Sequence, residues 1–213
     1  DDELTYGALQ DRVARAASAW RVLGVTPGER VAIKLADDAT WVVAYLGAIW
    51  AGGVAVAVNP RIPAEEWSAI VGEAGFRRVL TEAEDPAAGM QGVAITRDAW
   101  RHASADARPA SPHLVDDDAP AFWSHSSGTS GRPKAVVHAH RFVHGVASVA
   151  RELLGVGAAD RLFAVAVLDR LDNIIFDTRL RATMPQTLDE RIVIVDVDEK
   201  SLAEVGRWPW GRN

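Results

Sequence analysis

Between Thr5 and Leu80 the chain alternates helix-period segments with short apolar runs, and that alternation limits the folds open to it. Thr5 can cap a helix whose apolar positions are Leu9, Val13, Ala16, Ala17, Trp20 and Leu23, and Gly24 stands where a glycine closes a helix. Pro27-Gly28 is a turn signal. Arg30–Leu35 reads as a strand, Trp41–Trp50 as a helix and Val54–Val58 as a buried strand. Pro63–Glu73 reads as a helix with Pro63 near its start, and Phe76–Leu80 as the next strand. Short apolar strands separated by helices predict an α/β fold: a mainly parallel sheet, covered on both faces, with ligands beyond the carboxyl ends of its strands.

One stretch has a competing reading. Ala39–Pro60 carries no charged residue and is long enough to span a bilayer. Gly52-Gly53 divides it, and its alanine content keeps it only moderately apolar, so helix–turn–strand is the expectation and no membrane partner is expected. The chain as a whole is 48% hydrophobic and 24% charged, which excludes a mainly disordered polymer. A net charge of −6 argues against coating nucleic acid, so no nucleic-acid partner is expected. The absence of cysteine excludes a disulfide framework, a thiolate nucleophile and a Cys-ligated metal. The chain starts at Asp1 rather than Met, which reads as a fragment, and DDELTYG has no signal-peptide character.

Composition changes along the 213 residues, a length suited to one domain or two small ones. Residues 1–166 hold 35 alanines and 15 glycines, whereas residues 167–213 hold 2 and 2, and all six histidines precede the change. The expectation is one domain over 1–166 and a second segment over 167–213. Ala103–Ala119, rich in Ala, Ser, Pro and Asp, reads as a surface loop.

The sharpest local signal is FWSHSSGTSGRPK, Phe122 to Lys134. A strand from Ala119 to Ser124 runs into a loop with two glycines, several hydroxyls, one Arg and one Lys; a strand over Ala135–Val137 and a helix from about His140 follow. Glycine lets backbone approach an anion closely, and turned-out N–H groups, hydroxyls and an ammonium then solvate phosphate oxygens. The GxxxxGK[ST] spacing of a Walker loop is absent. On composition alone, a polar surface loop is the competing reading. His125, His138, His140 and His144 surround the loop, and His138-x-His140 on one strand would share a face. No carboxylate pair or Cys completes a metal set, so no metal site is expected. Asp116-Asp117-Asp118 reads as a solvated loop.

SSGTSGRPKAVVH resembles the signature loop of the adenylate-forming superfamily, which includes acyl- and aryl-CoA synthetases, adenylation domains and luciferases. LTYGALQDRVARAASAW through NPRIPAEEW is similar to the amino-terminal region of these enzymes, and FWSHSSGTSGRPKAVVHAHRF is similar to the benzoate–CoA ligase branch. The resemblance covers about residues 3–165. It implies ATP-dependent adenylation of a carboxylic acid, aromatic in this branch, then transfer to CoA, with ATP, Mg²⁺ and CoA as the reaction's companions. Ser126, Ser127, Gly128, Thr129, Ser130, Gly131 and Lys134 would contact the ATP phosphates. Ala135 departs from the Gly usual in the family.

The resemblance stops near Phe163–Ala166. No later segment matches the family's acyl-pocket strands, Thr-Glu motif, ribose-binding Asp or carboxy-terminal domain with its Lys. The expectation is therefore a truncated ligase domain, inactive by itself. Residues 168–213 resemble instead the start of a second-type CHASE extracytoplasmic sensory domain, on Asp177-Thr178-Arg179-Leu180-Arg181, the run Ile192–Asp198, and Gly206-Arg207-Trp208-Pro209-Trp210. Helical spacing over Leu168–Arg181, a strand over Arg191–Val197 and a short helix over Ser201–Val205 are expected there. The ligase half implies a cytoplasmic address and the sensory-like half an extracytoplasmic one. A sensory module and a non-functional chimera are the alternative readings of the whole.

Overall fold

The computed structural model describes residues 4–82, 92–127, 133–152 and 155–157. Helix α1 spans Tyr6–Val22; the Thr5 side chain caps it by accepting the Ala8 N–H at 3.2 Å. It closes at Gly24, which takes φ 85° and donates its N–H to the Arg21 carbonyl. Such a left-handed residue ends a helix at low cost only when it lacks Cβ. Pro27-Gly28 then turns the chain, with the Glu29 N–H bonded to the Thr26 carbonyl at 3.0 Å.

Strand β1 (Arg30–Lys34) is followed by α2 (Ala39–Trp50), β2 (Val54–Ala57), α3 (Ala64–Ala74) and β3 (Arg78–Thr81). The Asp38 carboxylate caps α2 through the Trp41 N–H at 2.9 Å. The charge-free stretch is thus a helix, a turn and a strand, as its glycine pair suggested. Among the described residues, no helix is long and apolar enough to cross a membrane.

Two elements were not anticipated: β4 (Val93–Thr96) and α4 (Arg97–Ala105). Helix α4 buries Trp100 alone, so periodicity carries almost no signal there. Its start was nonetheless marked, because Thr96 accepts the Ala99 N–H and Asp98 stands in the first turn. The stretch read as a loop from Ala103 therefore begins inside a helix. The rest of it is irregular but tethered: Arg15 and Ser18 donate to the Ala107 and Arg108 carbonyls, and Trp50 Nε1 donates to the Ala110 carbonyl at 2.8 Å.

Strands β5 (Pro120–Ser127) and β6 (Pro133–Ala139) and helix α5 (Phe142–Glu152) complete the order. The six strands form one sheet in the order β4-β3-β1-β2-β5-β6. All neighbours are parallel except β5 and β6, which pair antiparallel. The short link between them leaves no room for a crossover, so the hairpin must be antiparallel.

Alternation sorts the sheet's side chains between two cores. Val31, Ile33, Ala55 and Leu80 join α1, α2 and α4, with Trp20 and Trp100 at the centre. Ala32, Val56 and Val79 face α3, with Trp67 and Phe76. Helices α2 and α3 fall on opposite faces because the chain moves from β1 to β2 in one direction and returns past β1 to β3 in the other; right-handed crossovers then require it. The chain leaves β1 towards β2 and leaves β3 the other way towards β4, so the crevice between the carboxyl ends of β1 and β3 is the topological switch point. The two helices and the strand expected over 168–205 lie outside the described residues.

Candidate functional site

Strand β5 runs parallel to β2, with Ala55 opposite Phe122 and Val56 opposite Trp123. The last residues of β5, Ser126 and Ser127, therefore continue past the carboxyl end of β2, on the side of the sheet where open α/β folds bind ligands. Across the hairpin Ser126 pairs with Lys134 and Ser127 with Pro133. The register thus sets the motif's lysine opposite its first serine along the backbone, and Lys134 is exposed. Gly128, Thr129, Ser130 and Gly131 lie outside the described residues. The base of the hairpin is fastened by the His140 N–H to the Ala119 carbonyl at 3.0 Å and by the Arg141 N–H to the Asp117 carbonyl at 2.8 Å. Asp118 also pairs with Arg141, so the exposed acidic run serves the hairpin's foot.

The histidines separate into different environments. His125 on β5 is half-buried near the Ala57 backbone at the end of β2. Desolvation lowers its pKa, against the opposing pull of Glu73 and of the Ala57 backbone. Its Nδ1 is buried with no hydrogen-bond partner among the described residues. His138 lies within 3.1 Å of Ser124 Oγ through Nε2 and stacks on Phe122 at 4.5 Å, with Phe142 at 4.4 Å. Strand β6 ends at Ala139, so His140 falls in the following turn and the shared-face argument for His138-x-His140 does not hold. Burial also lowers the His140 pKa, opposed by Asp117. Among the described residues no three His, Cys, Asp or Glu side chains converge to hold a metal. Ala135 sits half-buried opposite His125.

Residues 1–168 match the AMP-binding enzyme family. The chain belongs to that family. The 3-hydroxybenzoate–CoA ligase of Aromatoleum sp. (strain CIB) is 33% identical over 181 residues, covering 76% of this chain and 34% of the relative. A benzoate CoA ligase from Burkholderia xenovorans LB400 superposes with a TM-score of 0.62 at 30% identity, over 72% of this chain and 33% of that one. The inhibitor-bound N-terminal domain of FACL13 from Mycobacterium tuberculosis gives a TM-score of 0.62 at 29% identity, over 70% and 41%. The chain thus spans about a third of the curated aryl–CoA ligase it matches. Residues 153–213 match the CHASE2 domain, overlapping the end of the first match.

Within this AMP-binding enzyme segment, the sheet is the mixed α/β layer of the family's amino-terminal domain, and the described ends of the Ser/Gly/Lys motif, Ser126-Ser127 and Lys134, belong to β5 and β6. Sequence reading located that motif. It did not reveal the partial burial of His125, because its place near Ala57 depends on β2 and β5 being neighbours.

Proposed function

We propose that this chain is the phosphate-gripping part of an acid–CoA ligase acting on an aromatic carboxylic acid. Its motif Ser126, Ser127, Gly128, Thr129, Ser130, Gly131 and Lys134 binds the terminal phosphates of ATP as adenylation releases pyrophosphate. The observation that carries this reading is the hairpin register: Lys134 stands opposite Ser126 beyond the carboxyl end of β2. The lysine there offsets negative charge on the departing phosphates, and the motif's N–H and hydroxyl groups orient them. Mg²⁺ is implied by the family, but the described residues do not form a cage for it, so no step is assigned to a protein-held ion.

The 213-residue chain on its own performs no adenylation or thioester formation in this reading. Positioning of acid and α-phosphate supplies roughly 7–11 kcal/mol of barrier reduction, and a single donor set supplies only a few. Pyrophosphate binding measured by calorimetry should fall with added salt and in Lys134→Ala. Benzoate-dependent exchange of labelled pyrophosphate into ATP should be absent. Equal binding by parent and Lys134→Ala refutes the phosphate assignment. Clear exchange abolished by Lys134→Ala refutes the claim of inactivity. The CHASE2 match supports reading residues 168–213 as a separate sensory-type segment whose cellular side differs from that of a ligase.

A further inference from the structure

The loop is not the only cationic feature of the domain. A groove of about 410 Å³ opens where α1, α2 and α4 meet, on the face of the sheet opposite α3. Arg12 and Arg15 reach it from α1 and Arg101 from α4, against a single carboxylate, Asp11. Arg12 and Arg15 are three apart on α1, which puts them on one face of the helix. Asp11 is already engaged: its carboxylate accepts from Arg15 Nε at 2.7 Å, and Arg15 Nη1 donates to the Ala107 carbonyl at 2.9 Å. Arg15 is thereby a fixed, neutralised wall. Arg12 and Arg101 have no ion-pair partner among the described residues, although Arg78, Arg97 and Arg141 each hold a carboxylate. Two guanidiniums on separate helices, uncompensated among the described residues, line one concave space. Low-dielectric walls focus their field into it. Val43 and the buried Trp100 give the same groove an apolar wall.

We propose that this groove is a second anion site that binds a small phosphate monoester carrying an apolar group. Its phosphate is gripped by Arg12 and Arg101, and its apolar part lies towards Val43 and Trp100. A dianion matches these two guanidiniums, each of which can donate a fork of N–H groups to phosphate oxygens. The volume falls within the range of small-molecule clefts and exceeds what bare phosphate fills. The site is independent of the adenylation reading, because none of its residues belongs to the Ser126–Lys134 motif.

The test uses phenyl phosphate as the probe and the Lys134→Ala chain as the parent, so that the loop does not contribute. Calorimetry at low salt should show binding that weakens by at least about tenfold in the Arg12→Gln/Arg101→Gln double variant, the scale of losing charge-assisted hydrogen bonds. Both side chains are exposed, so the variant should melt with its parent. In the unsubstituted chain, NMR titration should move the amide resonances of Arg12, Val43 and Arg101, a readout that needs no variant to fold. Benzoate should bind more weakly than phenyl phosphate. Equal binding by parent and double variant overturns the proposal, as do unmoved resonances in α1, α2 and α4. Benzoate binding as tightly as phenyl phosphate overturns the phosphate assignment.

Discussion

The centre of the sheet and its β5–β6–α5 end are built on different terms. Val31, Ala32 and Ile33 of β1 are fully buried between two layers of helix. At the other end Val136 and Val137 are 42% and 52% exposed, Val143 is 61% exposed, and α5 buries no residue. Burial of apolar area is the dominant stabilising term, at roughly 25 cal/mol per Å². The domain's stability therefore resides around β1, and the hairpin carrying the phosphate motif is secured chiefly by main-chain pairing with β2 and by its foot. This division lets a binding loop be shaped for ligand rather than for packing.

Trp20 tests the strong end of the comparison. It is completely buried, donates its indole N–H to the Ala44 carbonyl at 2.9 Å and lies 5.7 Å from Trp100. Trp20→Ala should cost about 3–5 kcal/mol in denaturant unfolding, from the lost transfer energy and the cavity left behind. A cost below about 1 kcal/mol would mean that the α1–α2–α4 layer is not where stability lies.

The contact of α1 with α2 gives the next largest effect. A Cβ at Gly47 would stand 2.5 Å from the Ala16 Cβ and 3.3 Å from its backbone carbon, so the helices must part to admit it. Gly47→Ala should destabilise by about 1–3 kcal/mol despite its better helix propensity. Adding Ala16→Gly should recover part of that loss, a coupling that a double-mutant cycle reads directly. Additive costs would show that the close approach is not the cause.

His125 links the two regions, since it sits on β5 near Ala57 at the end of β2. Burial lowers its pKa from 6.5, so below that pH the unfolded chain binds more protons than the folded one. Its contribution is fully present above the unfolded value and is lost as pH falls through and below it. The urea midpoint should drop between about pH 7.5 and 5.5, and His125→Gln should flatten that slope. His140→Gln should flatten it in the same direction, since burial lowers that pKa too. An unchanged slope in His125→Gln removes His125 as its source.

Much of this arrangement was legible in the sequence, and the exceptions have a common cause. The caps at Thr5 and Gly24, the turn at Pro27-Gly28 and the break at Gly52-Gly53 are local chemistry, and each element they bound is present. Strand β4 and helix α4 were missed because one buried residue each, Ile95 and Trp100, sets no period. The phosphate motif is contiguous, so spacing exposed it. The Arg12–Arg101 groove and the approach of His125 to Ala57 join residues far apart in sequence, and only the packing of α1 on α4 and of β5 beside β2 creates them.

The smallest effect should come from α5. Val143 is on this helix with 61% of its surface in solvent, and no residue of α5 is buried. Val143→Ala removes little buried area, and alanine gains a few tenths of a kcal/mol in helix propensity by escaping the χ1 restriction of a β-branched chain. The two terms oppose each other, and the net change should lie within about 0.5 kcal/mol of zero. The measurement is the same denaturant midpoint used for Trp20→Ala, on the same chain. A loss above about 1 kcal/mol would require cover over Val143 and would erase the contrast between the two ends of the sheet. A null result would leave α5 as a helix held by its own turns and by the Phe142 contact with Phe122 and His138. That contact is then the next place to cut, because Phe142→Ala removes the one aromatic link from α5 to the hairpin seen among the described residues.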